Sequence, residues 1–194
     1  KLEDARYIFP TSEDEIGFYN LQRAFFGKNG IKVFINNAFI IETFLDKLKT
    51  ANFLKKYGFS VPDTYALDSY HSEASFPLLL KPRRSYGGKG LIYVENKGEL
   101  LFYKKKLKNY VVQDVVANAD EEYTVGVFSG AGRIYSIAFK RKLGYGSLTK
   151  IAELVIDKQI DGLAIKVAKA VSLEGVLNLQ LRRTKNGFVI IEIN

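Results

Sequence analysis

The chain has no cysteine, no methionine and no tryptophan, a single histidine and only four prolines. Without cysteine there is no disulfide, no thiol nucleophile and no thiolate metal site, and a cytoplasmic setting is the expectation. His71 stands in an otherwise uninformative stretch with no nucleophile motif around it, so it reads as an exposed loop residue rather than a triad member. No apolar run approaches the roughly 20 residues of a membrane span. Lys1-Leu2-Glu3-Asp4 opens nothing like a signal peptide, and no membrane partner is expected. The lack of an initiating methionine reads as a trimmed chain. There is no internal repeat and no low-complexity tract.

What is present is ordinary for a globular protein: 47% hydrophobic and 26% charged residues in 194, enough for one domain or two small ones. Twenty-nine Lys and Arg against 21 Asp and Glu give a formal charge of +8, which favours polyanionic ligands such as nucleotides. Charge alone leaves nucleic acid open. The lysines are scattered, however, apart from Lys104-Lys105-Lys106 and Lys108, which fall on a helix and read as its solvated face.

The stretch Leu78 to Gly90, LLLKPRRSYGGKG, carries the sharpest signal. Phe76 to Leu80 is short enough for a buried strand; it delivers Lys81, and Pro82 fixes the backbone beyond it. Gly87, Gly88 and Gly90 permit a turn that brings backbone N–H groups close to a ligand. With Lys81, Arg83, Arg84 and Lys89 around it, such a concavity suits phosphate oxygens, although a solvated basic hairpin loop is the plainer reading. No G-K-[ST] follows the glycines, so this is not a Walker loop.

Residues 1–45 read as a fragment of α/β organisation: a strand at Tyr7 to Phe9, a helix from Asp14 to Phe26 and a strand at Ile31 to Ile35. Asp46 caps the clearest helix, whose Leu48, Ala51, Leu54 and Tyr57 share a side and which Gly58 stops. Leu91 to Val94 reads as the returning strand of a hairpin, and Lys97 to Leu107 as a helix. Val111 to Val116 is a β-branched run interrupted by Gln113 and Asp114, which implies that this strand touches something hydrophilic. Glu122 to Phe128 and Ile134 to Phe139 form an antiparallel pair around a turn at Ser129 to Gly132. Lys140 to Leu148 reads as a second basic, glycine-containing loop, and Asp157 to Val171 as a long helix.

The last segments, Val176 to Arg182 and Phe188 to Asn194, alternate with period two. Leu177, Leu179 and Leu181 share one face, leaving Asn178, Gln180 and Arg182 on the other. Ile191 and Ile193 oppose Glu192 and Asn194. A two-residue turn at Asn186-Gly187 sets Gln180 opposite Ile193. A three-residue turn at Lys185-Asn186-Gly187 pairs Thr184 with Phe188 and sets Gln180 opposite Glu192. The second keeps the apolar residues together and is preferred. It gathers Gln180, Glu192 and Asn194 into an oxygen-rich patch of the kind that holds magnesium rather than zinc; an ordinary wet sheet face is the plainer reading.

In their order and spacing these pieces resemble the ATP-grasp superfamily, in particular the ATP-binding domains of the carbamoyl-phosphate synthase large chain and small ligases related to it. The resemblance runs from about Asp46 to Asn194, through Leu80-Lys81-Pro82, Val112-Gln113, Glu122-Tyr123-Thr124-Val125, Asn178-Leu179-Gln180 and Ile191-Glu192-Ile193-Asn194. It implies an α+β fold of two subdomains with antiparallel sheets gripping ATP: residues 46–111 with the glycine-rich lid and 112–194 with the metal site, after a remnant α/β domain in 1–45. It implies that Lys81 contacts the α-phosphate, that Lys47 (with Lys49 close by) assists, and that Ser85 to Gly90 closes over the β- and γ-phosphates. Gln113, Asp114, Val115 and Val116 become the adenine hinge, and Glu122, with Glu121 as rival, takes the ribose. Gln180, Glu192 and Asn194 hold Mg²⁺ or Mn²⁺, and Lys140 or Arg141 faces the transferred phosphoryl group.

The implied activity is ATP-dependent activation of a small-molecule carboxylate as an acyl phosphate, captured by an amine or ammonia; a homo-oligomer is open and no nucleic-acid partner is expected. Kinase-like or carbamate-forming transfer on the same fold, or a non-catalytic ATP-binding module, are the alternatives. Family members continue beyond the Glu192-Ile193-Asn194 motif, so the nucleotide site is expected to be more complete here than the acceptor site.

Overall fold

The computed structural model describes residues 5–71, 75–85, 87–116, 121–144 and 149–194. Its amino-terminal portion is a small β-α-β fragment. β1 (Tyr7–Ile8) is followed by α1 (Glu13–Leu21), α2 (Arg23–Lys28) and β2 (Lys32–Val33), which pairs parallel with β1. The single helix expected from Asp14 to Phe26 is thus two. Ser12 starts the first through a capping box with Glu15, and the backbone leaves helical geometry at Gln22. Neither helix buries a residue, so its imperfect apolar stripe had no core to hold it straight. A helix the pattern did not announce, α3 (Ala38–Phe44), follows; Asn37 caps it by accepting the Ile40 amide at 2.9 Å.

Asp46 opens α4 (Lys47–Lys56) as its cap, accepting from the amides of Leu48 at 3.0 Å and Lys49 at 3.3 Å. The same carboxylate takes a bidentate fork from Arg83, Nε at 3.1 Å and Nη2 at 2.6 Å, which ties the helix to the strand that carries Lys81. Asp46 is 4% exposed. Burial works to raise its pKa, but the Arg83 contacts and the two capping amides outweigh it and hold the carboxyl below its usual value of 3.8. Asp46→Ala removes cap and counter-ion together and should cost about 3 kcal/mol in denaturant unfolding at neutral pH. Because the pKa is depressed on folding, this contribution is present above 3.8 and is lost as pH falls below it.

After Gly58, where φ is +75°, come β3 (Thr64–Ala66), a 3-10 turn at Leu67–Ser69, β4 (Leu78–Pro82), β5 (Ile92–Val94), α5 (Lys97–Lys106) and β6 (Tyr110–Asp114). These strands make a four-stranded antiparallel sheet in the order β3-β6-β4-β5. Leu78, Leu80, Val94, Leu100 and Val112 form its core on the face away from Lys81. The last strand of this sheet ends at Asp114, and the first strand of the other sheet begins at Glu122.

The second sheet is five-stranded and antiparallel in the order β11-β10-β7-β8-β9, from β7 (Glu122–Gly130), β8 (Arg133–Leu143), β9 (Thr149–Val155), β10 (Gly175–Thr184) and β11 (Gly187–Ile193). α6 (Lys158–Ala170) covers one face with Ile160, Ala164 and Val167. α3 and α4 add Ile40, Phe44 and Leu54 to the same core. The loop expected over Lys140 to Leu148 is strand as far as Leu143; residues 145–148 lie outside the described residues. β9 is an exposed edge strand with no apolar alternation, defined by its pairing with β8.

The terminal hairpin reaches the preferred register by another route. Its turn is Lys185-Asn186, with Thr184 opposite Gly187, and a bulge leaves Ile191 as the extra residue between Ile190 and Glu192. Beyond the bulge Gln180 stands opposite Glu192, and Asn178 and Asn194 exchange backbone hydrogen bonds of 2.7 and 2.8 Å. The core-facing isoleucines are consequently Ile190 and Ile193, not Ile191 and Ile193.

Candidate nucleotide and metal site

Strand alternation puts Glu122, Thr124, Asn178, Gln180, Arg182 and Glu192 on the face of the five-stranded sheet opposite α6. Asn194 follows two residues after Glu192. On the facing wall, the α4 start and β4 bring in Lys47 and Lys81. Lys47 Nζ lies 3.1 Å from Glu192 Oε1 and donates to the Ser85 carbonyl at 2.6 Å, while its amide donates to the Arg83 carbonyl at 2.9 Å. One lysine therefore joins α4, the segment at Ser85 and β11. Behind it, a small hollow of about 20 Å³ is lined by Lys47, Gln113 and Glu192 on its polar side and by Phe44, Leu54 and Ile190 on its apolar side.

Lys81 is half-buried between the two walls. Burial lowers its pKa to about 8; Glu192 and Glu122 oppose that shift, and Lys47 and Arg182 reinforce it. Between about 8 and the ordinary 10.5 the unfolded chain holds a proton that the folded chain has released, so stability rises with pH across that window. An anion bound against Lys81 restores the proton. Above pH 8, ATP binding should take up a proton and weaken by up to about tenfold per pH unit. Calorimetry in two buffers of different ionisation enthalpy measures this, and Lys81→Met should abolish it.

The glycine segment adopts left-handed backbone. Gly87, Gly88 and Gly90 have φ of 63°, 69° and 74°. A Cβ on Gly90 would stand 2.8 Å from Pro82 Cγ and 3.0 Å from the Tyr110 hydroxyl, so a side chain there would push the turn off the strand. Gln113 is buried, but its amide donates to Thr64 Oγ1 at 2.8 Å; it ties β6 to β3 beside the site. Asp114 ends β6 with its side chain exposed, and burial, then Asp63, raise its pKa. Val115 and Val116 lead toward 117–120, which lie outside the described residues.

Alternation separates the residues named as pairs. Glu122 faces the site; Glu121 pairs at 3.6 Å with Lys140, which lies over the Tyr123 ring on the opposite face. Lys140 thus lies on the face opposite Glu122, and Arg141 shares the face of Glu122. Arg141 Nη2 donates to Gln180 Oε1 at 3.0 Å, and its guanidinium grips Glu122. Glu122 is 3% exposed, and its second oxygen takes Arg182 Nη2 at 3.3 Å. Two further charged residues stand here to which the sequence assigns no role. Arg182 was placed on this face by the alternation but given no role. Glu13, from α1, is half-buried with its pKa raised by burial and then by Glu192, against the opposing pull of Lys47. No local pattern marks Glu13, because only the chain's return brings it there.

Lys47, Lys81, Arg141 and Arg182 thus stand against Glu13, Glu122 and Glu192, a cleft whose cations outnumber its carboxylates. Gln180, Glu192 and Asn194 offer two amides and one carboxylate, hard oxygen donors that fit Mg²⁺ or Mn²⁺. Among the described residues there is no group of three or more His, Cys, Asp or Glu to compete for a metal.

Two antiparallel sheets that face each other across a cationic cleft, with a glycine turn as lid, define a nucleotide-gripping architecture. The family model of the ATP-grasp domain matches residues 44–194, and the chain belongs to that family. It is 26% identical to the D-alanine–D-alanine ligase of Aquifex aeolicus, over 77% of this chain and 58% of that protein. It is 23% identical to the carbamoyl phosphate synthase large chain of Pseudothermotoga lettingae, over 86% of this chain and 17% of that one. The chain thus spans little more than half of one curated relative and a small part of the other. Biotin carboxylase of Campylobacter jejuni, solved as a β,γ-ATP complex, superposes with a TM-score of 0.79 at 20% identity, over 98% of this chain and 49% of that one. That likeness shows the fold. No described helix is long and apolar enough to cross a membrane.

Proposed function

We propose that the chain is the nucleotide-binding core of an ATP-dependent ligase that activates a carboxylate for capture by an amine or ammonia. The observation that carries the reading is the 3.1 Å pair of Lys47 with Glu192, beside Lys81 whose charge both of them influence, with Lys47 also donating to the Ser85 carbonyl at the start of the glycine segment. In this reading Lys47, Lys81 and the lid amides bind the phosphates, residues 113–116 receive the base and Glu122 stands at the ribose end. Gln180, Glu192 and Asn194 would hold Mg²⁺, which when bound offsets charge on the phosphate oxygens.

A carboxylate oxygen attacks the γ-phosphorus; the new O–P bond forms as the bond to the β,γ-bridging oxygen breaks, and ADP leaves with that electron pair. Arg141 faces the charge that develops on the transferred group. An amine then attacks the acyl carbon, loses its proton and expels phosphate. The lid excludes water from the acyl phosphate in between. Positional isotope exchange tests the first step without needing the amine. Scrambling of the β,γ-bridging oxygen of ATP should require Mg²⁺ and a carboxylate; no scrambling with any carboxylate, despite tight ATP binding, sinks the ligase reading.

A further inference from the structure

Glu122 and Glu192 are neutralised in place, the first by Arg141 and Arg182 and the second by Lys47. Glu13 is not. Burial and the charges of Glu192, Lys47 and Asp14 act on its carboxylate, with no hydrogen bond among them. The acidic run at the start of α1 divides its work. Glu15 is spent on the cap, its Oε2 accepting from the amides of Thr11 at 2.7 Å and Ser12 at 3.1 Å, and Asp14 is exposed. Glu13 is half-buried and turned toward the Lys47–Glu192 pair, where a ligand can still reach it. A helix dipole explains acids in a first turn, not one placed beside another carboxylate. The amino-terminal portion is anchored at a definite end of the site face. Asn36 Nδ2 donates at 2.7 Å to the carbonyl of Val176, two residues before Asn178 on β10 and away from Arg182 and Glu122. At this end of the face Asn178 and Thr124, bonded to each other at 2.7 Å, bring no charge of their own.

We infer that Glu13 binds the amine substrate: its carboxylate receives an ammonium group at the end of the cleft where the acyl phosphate forms. The inference rests on the proposed ligase reading and its orientation of ATP, with the ribose at Glu122 and the phosphates at Lys47 and Lys81. Once Mg²⁺ takes Glu192 and the phosphates take Lys47, Glu13 has lost the cation that acts on it, and an ammonium restores the balance. The bound ammonium sheds a proton to solvent before its nitrogen attacks the acyl carbon. The substrate class is therefore a primary amine that is cationic at neutral pH, ammonium itself included. Two carboxylates with an ammonium already between them make a poor second metal site by comparison.

The test pairs the carboxylate that supports positional isotope exchange with two kinds of nucleophile. Ammonium chloride and the common amino acids are cationic at nitrogen at neutral pH; hydroxylamine is neutral there and traps an acyl phosphate as the hydroxamate. Glu13→Gln should keep Mg²⁺–ATP affinity, isotope exchange and hydroxamate formation within about twofold of wild type. Its KM for the ammonium nucleophile should rise by about tenfold or more, the loss of one charge-assisted hydrogen bond, and Glu13→Asp should recover most of that loss. An unchanged KM overturns the inference. So does an equal loss with hydroxylamine, which would mark a structural residue, or a loss of exchange, which would mark a metal ligand. A wild-type chain that forms hydroxamate and accepts no ammonium compound overturns it too. Should Glu13→Gln unfold, the Glu13 carboxylate resonance of the wild-type chain decides. With Mg²⁺ and a non-hydrolysable ATP analogue bound, it should shift on adding ammonium chloride and not on adding hydroxylamine; no shift overturns the inference. If no carboxylate supports exchange, the ligase reading itself fails; if exchange runs and the KM is unchanged, only this inference does.

Discussion

Lys47→Ala should bind ATP about 50-fold more weakly and, at the same time, bind free Mn²⁺ about tenfold more tightly. The first half follows from removing a charge-assisted contact to phosphate, of order 2–3 kcal/mol. The second follows from the 3.1 Å pair with Glu192, because in the wild-type chain an ammonium competes with any divalent ion for the single carboxylate of the ligand set. Arg141 acts on Gln180 Oε1 in the same way at 3.0 Å. The chain's own cations thus disfavour a metal that arrives without phosphates to draw them off. Electron paramagnetic resonance of Mn²⁺ titrated with and without ATP reads both effects. A Lys47→Ala variant with unchanged or weaker affinity for Mn²⁺ alone contradicts the competition.

Glu192→Ala should change sign with the metal. In Mg²⁺ its ATP affinity should fall by about 100-fold, toward the value measured in EDTA, since two amides without a carboxylate hold the ion poorly. In EDTA the same variant should bind ATP several-fold more tightly than wild type. Glu192 is the partner of Lys47 and the carboxylate that most supports the charged form of Lys81, so its removal leaves both ammonium groups to the phosphates. Isothermal titration under the two conditions measures the crossing. Equal losses in Mg²⁺ and EDTA would show that Glu192 supports the fold and not the metal.

Much of this site was legible in the sequence where a local rule decided it. Asp46 and Gly58 bracket α4 because capping and left-handed geometry are local requirements. Gln180 and Glu192 share a face because alternation is local to each strand and the apolar face selects a register. The turn and the bulge at Ile191 escaped, since two one-residue changes cancel beyond the bulge and leave the distant register the same. Lys140 and Arg141 could not be told apart while their segment was read as a loop; once β8 extends through them, alternation assigns Arg141 to the site.

What sequence did not offer is what only distance in the chain creates. The Asp46–Arg83 fork spans 37 residues, and Arg182 meets Val116 across 66. β9 has no internal pattern because as an edge strand it is mostly exposed. α3 is a short run with apolar residues on several sides, and it is made a helix by the Asn37 cap and by the core that receives Ile40 and Phe44. The membership of the fold was carried by the order of small motifs, each of them weak by itself.

The central claim, that two distant walls of the chain grip one metal–nucleotide complex, is tested most directly by a crystal structure with Mg²⁺ and a non-hydrolysable ATP analogue. The account predicts a metal on Gln180, Glu192 and Asn194, phosphates against Lys47 and Lys81 beneath the turn at Gly87 to Gly90, and the base beside Val116. A nucleotide bound elsewhere, with Lys81 and Glu192 touching neither metal nor phosphate, would contradict it.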